Sequence, residues 1–381
     1  MSFTQLSVIG LVALLGPVLA LRRTWRLPVV LGELFAGLVL GGSMLGYLDP
    51  SDATFTLLAD IGFALVMFVV GSHVPISDPA LRPALRVGIL RALAVGMSAA
   101  VLGLVLARAF DTPHAGLYAV LMASSSAALI LPALDSTRLT GRPVLELLPQ
   151  VAVADAACIV ALPVVLDPPH AWRAALGTVI VVAATAVVYL VLRHFERNGV
   201  RQKLHDVSED REFALELRIQ LAILFGLGAL ALWAHVSILL AGFSFGLAVA
   251  AVGEPRRLAK QLFALTEGFF GPLFFVWLGA TLDLRALGEH PRLIGLGACL
   301  GLGACLTHVT GRLLGQPVPL ALLASAQLGV PVAAATVGTG LGVLVPGEAA
   351  ALMLGALVTI AVAVLGGVRL TSRLPGVGRG A

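Results

Sequence analysis

The chain has 381 residues, 59% of them hydrophobic and only 12% charged, with a formal net charge of +4. Soluble domains carry about 25% charged residues, and a fold of this length has no interior large enough for so much apolar surface, so a water-soluble globular protein is excluded. The 25 Lys and Arg residues are dispersed over many polar joints instead of forming one basic face, which excludes a nucleic-acid partner and leaves the lipid bilayer as the surrounding medium.

The apolar residues come in runs of about 17 to 25, the length that crosses the hydrocarbon as helix. About thirteen such runs are predicted, centred on Ile9, Gly37, Ala64, Gly96, Ala123, Asp155, Val182, Leu224, Phe245, Phe274, Gly301, Val332 and Val358. The first, Phe3 to Leu21, has no basic leader and no small-residue cleavage site, and reads as a helix of the mature chain. The polar stretch 193–213 reads as a cytoplasmic linker. It separates residues 1–192, six helices plus a linking seventh, from residues 214–381, six helices and a short cytoplasmic tail.

With thirteen alternating helices, 20 of the 25 basic residues fall on one side. Only Arg108, Arg173, Arg285 and Arg292 fall on the other, and Arg218 stands at a helix start. The positive-inside rule then predicts an inner or plasma membrane protein with its amino terminus outside and its carboxyl terminus in the cytoplasm. Seven crossings before the eighth run start the second six-helix unit on the opposite face, the plan of an inverted repeat. Cys158, Cys299 and Cys305 all lie in apolar runs and form no metal-ligand spacing.

Ionisable residues inside apolar runs mark pathways, because each costs at least about 2.5 to 3.5 kcal/mol at the bilayer centre. Asp155 stands in the middle of the sixth run with no basic residue three or four positions away. It is either a helix-packing carboxylate or one that holds a proton or a stripped cation. His308, in the eleventh run, is either a proton carrier, a charged partner for Asp155, or a neutral ring on a backbone carbonyl. Glu33 and Asp60 lie nearer the ends of their runs and read as structural.

Two runs are broken at comparable places. The fifth has Ser124, Ser125 and Ser126 followed by Pro132, and the twelfth has Gln327, Gly329 and Pro331. Backbone carbonyls freed at that depth are tolerated where they line a cavity, and paired breaks in two halves point to a binding site between them.

These residues resemble the monovalent cation/proton antiporter superfamily, in its bacterial sodium/proton and potassium/proton exchanger branch. Pro28, Gly32, Glu33, Ala36, Gly37 and Gly41 look like its second-helix signature, and Gly62, Phe68 and Gly71 like its next helix. Ser124 to Pro132 resembles its unwound helix, and Phe274, Phe275, Gly279 and Asp283 its Phe-Phe motif. Asp155 falls at the family's ion-binding aspartate, and His308 at a position where many members carry a lysine. Ala154 replaces the Asp, Asn or Gln that usually precedes the aspartate, and Gly329–Val330 replaces a Gly-Glu pair.

The resemblance implies an all-α polytopic membrane protein of about thirteen helices. It further implies a moving core of about 84–166 and 291–370 with two crossed, partly unwound helices, and a homodimer scaffold of about 3–73 and 214–282. The expected activity is exchange of Na⁺ or K⁺ for H⁺ by alternating access, with no cofactor. Asp155 and His308 are the expected proton and ion residues, Asp155 the metal ligand, and Ser124, Ser125, Ser126, Gln327 and Gly329 its support. An enzyme is not expected: no nucleophile, base and orienter occur together. A sodium-coupled organic anion symporter would need a cation at midplane, and no intramembrane Arg or Lys is evident. A transport-inactive sensor of the same fold is the remaining alternative.

Overall fold

The structure is a computed structural model that describes residues 1–21, 29–72, 81–127, 129–130, 134, 139–199, 213–234, 236–253, 256–282, 284–368 and 378–379. Pro132, Asp283 and the linker residues 200–212, all singled out above, lie outside the described residues.

In hydrocarbon every backbone N–H and C=O needs a partner within the chain, and helix supplies it segment by segment. The helices in chain order are α1 (Phe3–Ala13), α2 (Leu15–Leu21), α3 (Val29–Leu40), α4 (Ala53–Ser72), α5 (Leu81–Phe110), α6 (Ala115–Ala123), α7 (Arg142–Leu166), α8 (Ala171–Arg197), α9 (Leu215–Trp233), α10 (Ile238–Val252), α11 (Arg256–Leu265), α12 (Gly271–Thr281), α13 (Leu284–Glu289), α14 (Pro291–Val309), α15 (Val318–Ala324), α16 (Gly329–Gly340) and α17 (Glu348–Val362). Each predicted run centre falls within one of them. Among the described residues nine helical stretches are long and apolar enough to cross a membrane, with shorter apolar helices at Phe3–Leu19 and Ile238–Val252. The first run differs from expectation in detail: a turn at Leu14 divides it into α1 and α2. Beside the helices, Leu139–Thr140 pairs antiparallel with Gly378–Arg379.

The amphipathy is that of a membrane protein. On α5, Leu93, Met97, Val101 and Leu104 are exposed at a spacing of three to four residues, an apolar stripe that suits lipid. Arg91, on the same helix, is buried.

Helix contacts fall on small residues, since close approach is the main gain between helices in lipid. Helix α3 packs on α12, and α4 on α10. A Cβ on Gly37 would lie 2.0 Å from the Val276 carbonyl oxygen, and one on Gly279 2.1 Å from that of Leu34. On Gly71 it would lie 2.3 Å from the Phe243 oxygen, and on Gly246 2.2 Å from that of Phe68. In all four cases the glycine meets the carbonyl three residues before its partner glycine. Exchanging the halves, so that the second and third runs trade places with the ninth and tenth, converts one pair of contacts into the other. That reciprocity is the mark of a two-fold internal repeat.

The remaining core contacts join α14 to α17, and α5 to α6 and α7. They hold the two broken segments, α6 onward and α15 to α16, between them.

Candidate functional site

Helix α6 stops at Ala123 because Ser124 takes an extended backbone, φ −72° and ψ 151°. Ser124, Ser125 and Ser126 are non-helical and helix resumes at Ala127. In the other half, α15 ends at Ala324, residues 325–328 are non-helical, and α16 begins at Gly329. Pro331 sits in the first turn of α16, where its missing N–H removes no helical bond.

The two breaks touch. The Ser126 amide donates to the Ala326 carbonyl at 2.8 Å, so the segments cross at their unwound residues. Side chains take up other freed backbone groups: the Thr307 hydroxyl of α14 donates to the Met122 carbonyl at 3.0 Å, and the Ser124 hydroxyl, at the break itself, to that of Leu121 at 2.9 Å.

At each break the amides that follow the crossing have no helical acceptor and need another. The Ala127 amide donates to Asp155 Oδ2 at 3.3 Å, and the Gln327 amide to Thr359 Oγ1 at 3.2 Å. The arrangement repeats in the two halves: the residue after the touching pair Ser126 and Ala326 is capped in each case by a side chain of the following spanning helix. One repeat uses a threonine for this, and the other a carboxylate. Asp155 is therefore a cap that carries charge at a place where its counterpart carries none.

Asp155 is 5% exposed, and among the described residues no Lys, Arg or His forms an ion pair with it. Around the crossing lie the buried hydroxyls of Ser124, Ser125 and Ser126 and the buried side chain of Gln327, whose Nε2 has no hydrogen-bond partner. No group of three His, Cys, Asp or Glu able to hold a metal occurs among the described residues. One carboxylate with neutral oxygen donors matches a hard monovalent ion, since divalent ions such as Ca²⁺ take six to eight oxygens and more charge.

His308 is fully buried. Its Nδ1 lies 2.8 Å from the Ala304 carbonyl and its Nε2 3.2 Å from Ser125 Oγ. The backbone-satisfied ring is thus the geometry found, with Ser125 as its second contact and no ion pair to Asp155. Gly329 opens α16 beside Leu239 and Met67. Glu33 is buried on α3, and Asp60 is half-buried on α4.

Several polar residues had no sequence signal. Thr307, Thr359 and the Ala326 carbonyl complete the crossing, and nothing in a lone threonine or an alanine foretells it. The reading that no Arg or Lys lies within the membrane is corrected by Arg91. It is 2% exposed on α5, and its Nη2 bonds Glu146 Oε2 at 2.9 Å and the Leu314 carbonyl at 3.1 Å. It lies ten residues into α5, within the apolar span Ala84–Phe110. Its charge is met by Glu146, so it is not a free cation for an organic anion.

The sodium/hydrogen exchanger, transmembrane family matches residues 10–372. The chain belongs to that family. That family is one of transmembrane exchangers and not of enzymes, and the ions such exchangers carry are cargo and not cofactors. It is similar to YjbQ of Bacillus subtilis, 24% identical over 384 residues, an alignment covering 94% of this chain and 61% of that protein's length. It is also similar to the Na(+)/H(+) antiporter NhaS4 of Synechocystis, 26% identical over 81% of this chain and 80% of the relative. Its fold matches the structure of the sodium proton antiporter MjNhaP1 from Methanocaldococcus jannaschii at pH 8, with a TM-score of 0.70 at 18% identity over 96% of both chains.

Proposed function

We propose that this exchanger-family chain is a secondary monovalent cation/proton antiporter, moving Na⁺ or K⁺ against H⁺ by alternating access, with Asp155 binding proton and cation in turn. The observation that carries the reading is the position of Asp155, a buried carboxylate without a cationic partner among the described residues, bonded to the resumed helix where the two breaks cross. The exchanger names of its relatives support the same activity.

Loaded with a proton or a monovalent cation, the carboxylate is neutral as a site and crosses with its helices. Empty, it is an uncompensated charge in low dielectric and is held back. Coupling needs nothing more than this competition. Ser124, Ser125, Ser126 and Gln327 supply neutral oxygens to the cation, and Gly329 keeps the second break free of a side chain. Rocking of a core of about 84–166 and 291–370 against a dimer scaffold of about 3–73 and 214–282 exposes the site to each side alternately.

The test is Na⁺- and K⁺-induced recovery of a quenched pH dye in proteoliposomes. The native chain is expected to exchange one or both ions, and Asp155→Asn to lose exchange by at least about a hundredfold, a barrier change of about 2.7 kcal/mol. Equal rates in both proteins would remove Asp155 from the mechanism.

A further inference from the structure

We propose that His308 is a positioning residue: a fixed, neutral imidazole whose bare Nε2 accepts a hydrogen bond from the Ser125 hydroxyl and so commits the Ser125 oxygen to accepting the transported cation. The proposal rests on the reading of Asp155 as the ion carrier and deepens it.

Hydrogen-bond arithmetic sets the ring. A carbonyl oxygen only accepts, so the contact at 2.8 Å with Ala304 requires the proton on Nδ1. Nε2 is then either bare, in which case Ser125 donates to it, or protonated, in which case Ser125 must accept. His308 is fully buried, and among the described residues it forms no ion pair with a carboxylate. Its neighbours are neutral: the Thr307 hydroxyl is spent on Met122, and the Cys305 thiol lies 3.5 Å from the Ser325 hydroxyl. An imidazolium there is an unpaired buried charge, which is strongly disfavoured. Nε2 is therefore the acceptor and Ser125 the donor.

A hydroxyl whose proton is held in this way still has acceptor capacity, and its dipole is set before the ion arrives. Ser124 reaches the same condition through the Leu121 carbonyl one turn back. Ser125, in the unwound segment, has His308 as its side-chain partner among the described residues. Preorganised dipoles of this kind save the reorganisation that a free rotor would need. A second consequence is stoichiometric: with His308 neutral throughout, Asp155 alone changes its load, and exchange is one for one and electroneutral.

The experiment is a double-substitution cycle on Na⁺/H⁺ exchange in proteoliposomes, read as KM for Na⁺ and maximal rate. It uses Ser125→Ala, His308→Lys, which can only donate, His308→Gln, which can accept through its carboxamide oxygen, and the Ser125→Ala/His308→Lys pair. Each of the first two is expected to raise KM about tenfold with a smaller change in maximal rate, since about 1.4 kcal/mol is a factor of ten. His308→Gln is expected to stay within about threefold of the native KM, and the double variant to be no worse than either single, because both remove one interaction. An imposed membrane potential is expected to leave the native rate unchanged.

KM effects that multiply in the double variant, a His308→Gln as impaired as His308→Lys, or a rate driven by potential would each overturn the proposal. Where His308→Lys does not yield monodisperse protein, His308→Leu, which lacks any acceptor, replaces it in the same cycle with the same expectation. Asp155→Asn run alongside separates the two levels. An active Asp155→Asn defeats the carrier reading itself, whereas an inactive one with multiplicative KM effects defeats only the role of His308.

Discussion

Glu348 is fully buried at the first position of α17, and its carboxylate is kept by three contacts. The Tyr118 hydroxyl donates to Oε1 at 2.7 Å, His114 Nδ1 lies 2.8 Å from the same oxygen, and the Val345 amide donates to Oε2 at 3.1 Å. His114 stands outside the spanning segments, in the joint between α5 and α6, and the hydrogen bond to Glu348 is the largest cause raising its pKa above the ordinary imidazole value. A raised folded-state pKa means the stabilisation is complete below about pH 6.5, the unfolded value, and is lost as pH rises through the folded one. Thermal unfolding in detergent is thus expected to occur at lower temperature as pH rises through this window, and His114→Gln to flatten that dependence; parallel curves would rule the pair out as its source. Among the described residues the buried Arg91 also pairs with the partly buried Glu146, 2.9 Å away, with Arg142 bonding the second Glu146 oxygen at 2.9 Å. Glu146→Ala leaves the Arg91 charge buried and unpaired, an expected loss of about 3 to 5 kcal/mol, while Arg91→Met combined with Glu146→Leu is expected to lose less. A thermal-shift comparison of the two variants decides it, and equal losses would mean that Arg91 finds another partner.

At the level of helices, the paired glycines make the contacts of α3 with α12 and of α4 with α10 intolerant of any side chain. Gly279→Ala places a Cβ 2.1 Å from the Leu34 carbonyl oxygen, so α3 and α12 must separate, and overpacking of this kind costs about 1 to 3 kcal/mol. Gly226 on α9 has nothing within 4 Å of its would-be Cβ, and Gly226→Ala is expected to be neutral or to stabilise by up to about 1 kcal/mol through helix propensity. Melting temperatures of the two variants test the contrast. The glycines were legible in the sequence as a loose likeness of the two halves, but not which helix each one faced. The broken helices were legible too, from the Ser124–Ser126 run and from Gly329 with Pro331. The second break was read from Gln327 onward and in fact starts at Ser325, because it is the bond between Ser126 and Ala326 that sets its position.

For the whole molecule, the lopsided distribution of basic residues predicts an orientation that single cysteines can read in a background lacking Cys158, Cys299 and Cys305. In cells, Asp49→Cys is expected to react with an impermeant maleimide from outside, and Arg312→Cys only after the membrane is opened. Both positions are exposed in the fold. The opposite pattern would invert the proposed topology and exchange the mouths through which cation and proton enter.

Composition and run length by themselves determined a polytopic helical membrane protein, because runs of about 17 to 25 apolar residues cross lipid with their backbone satisfied as helix, whereas a barrel strand needs only about ten. They also singled out Asp155, because an acid amid apolar residues is conspicuous at any resolution. What only the tertiary structure decided was company. The acid caps the amide of Ala127, the histidine turns to Ser125, and the carbonyl of an unremarkable alanine joins the two halves. These contacts span from 28 to 200 residues of chain, and hydrophobic periodicity reports which face of a helix is apolar without saying which other helix will meet it.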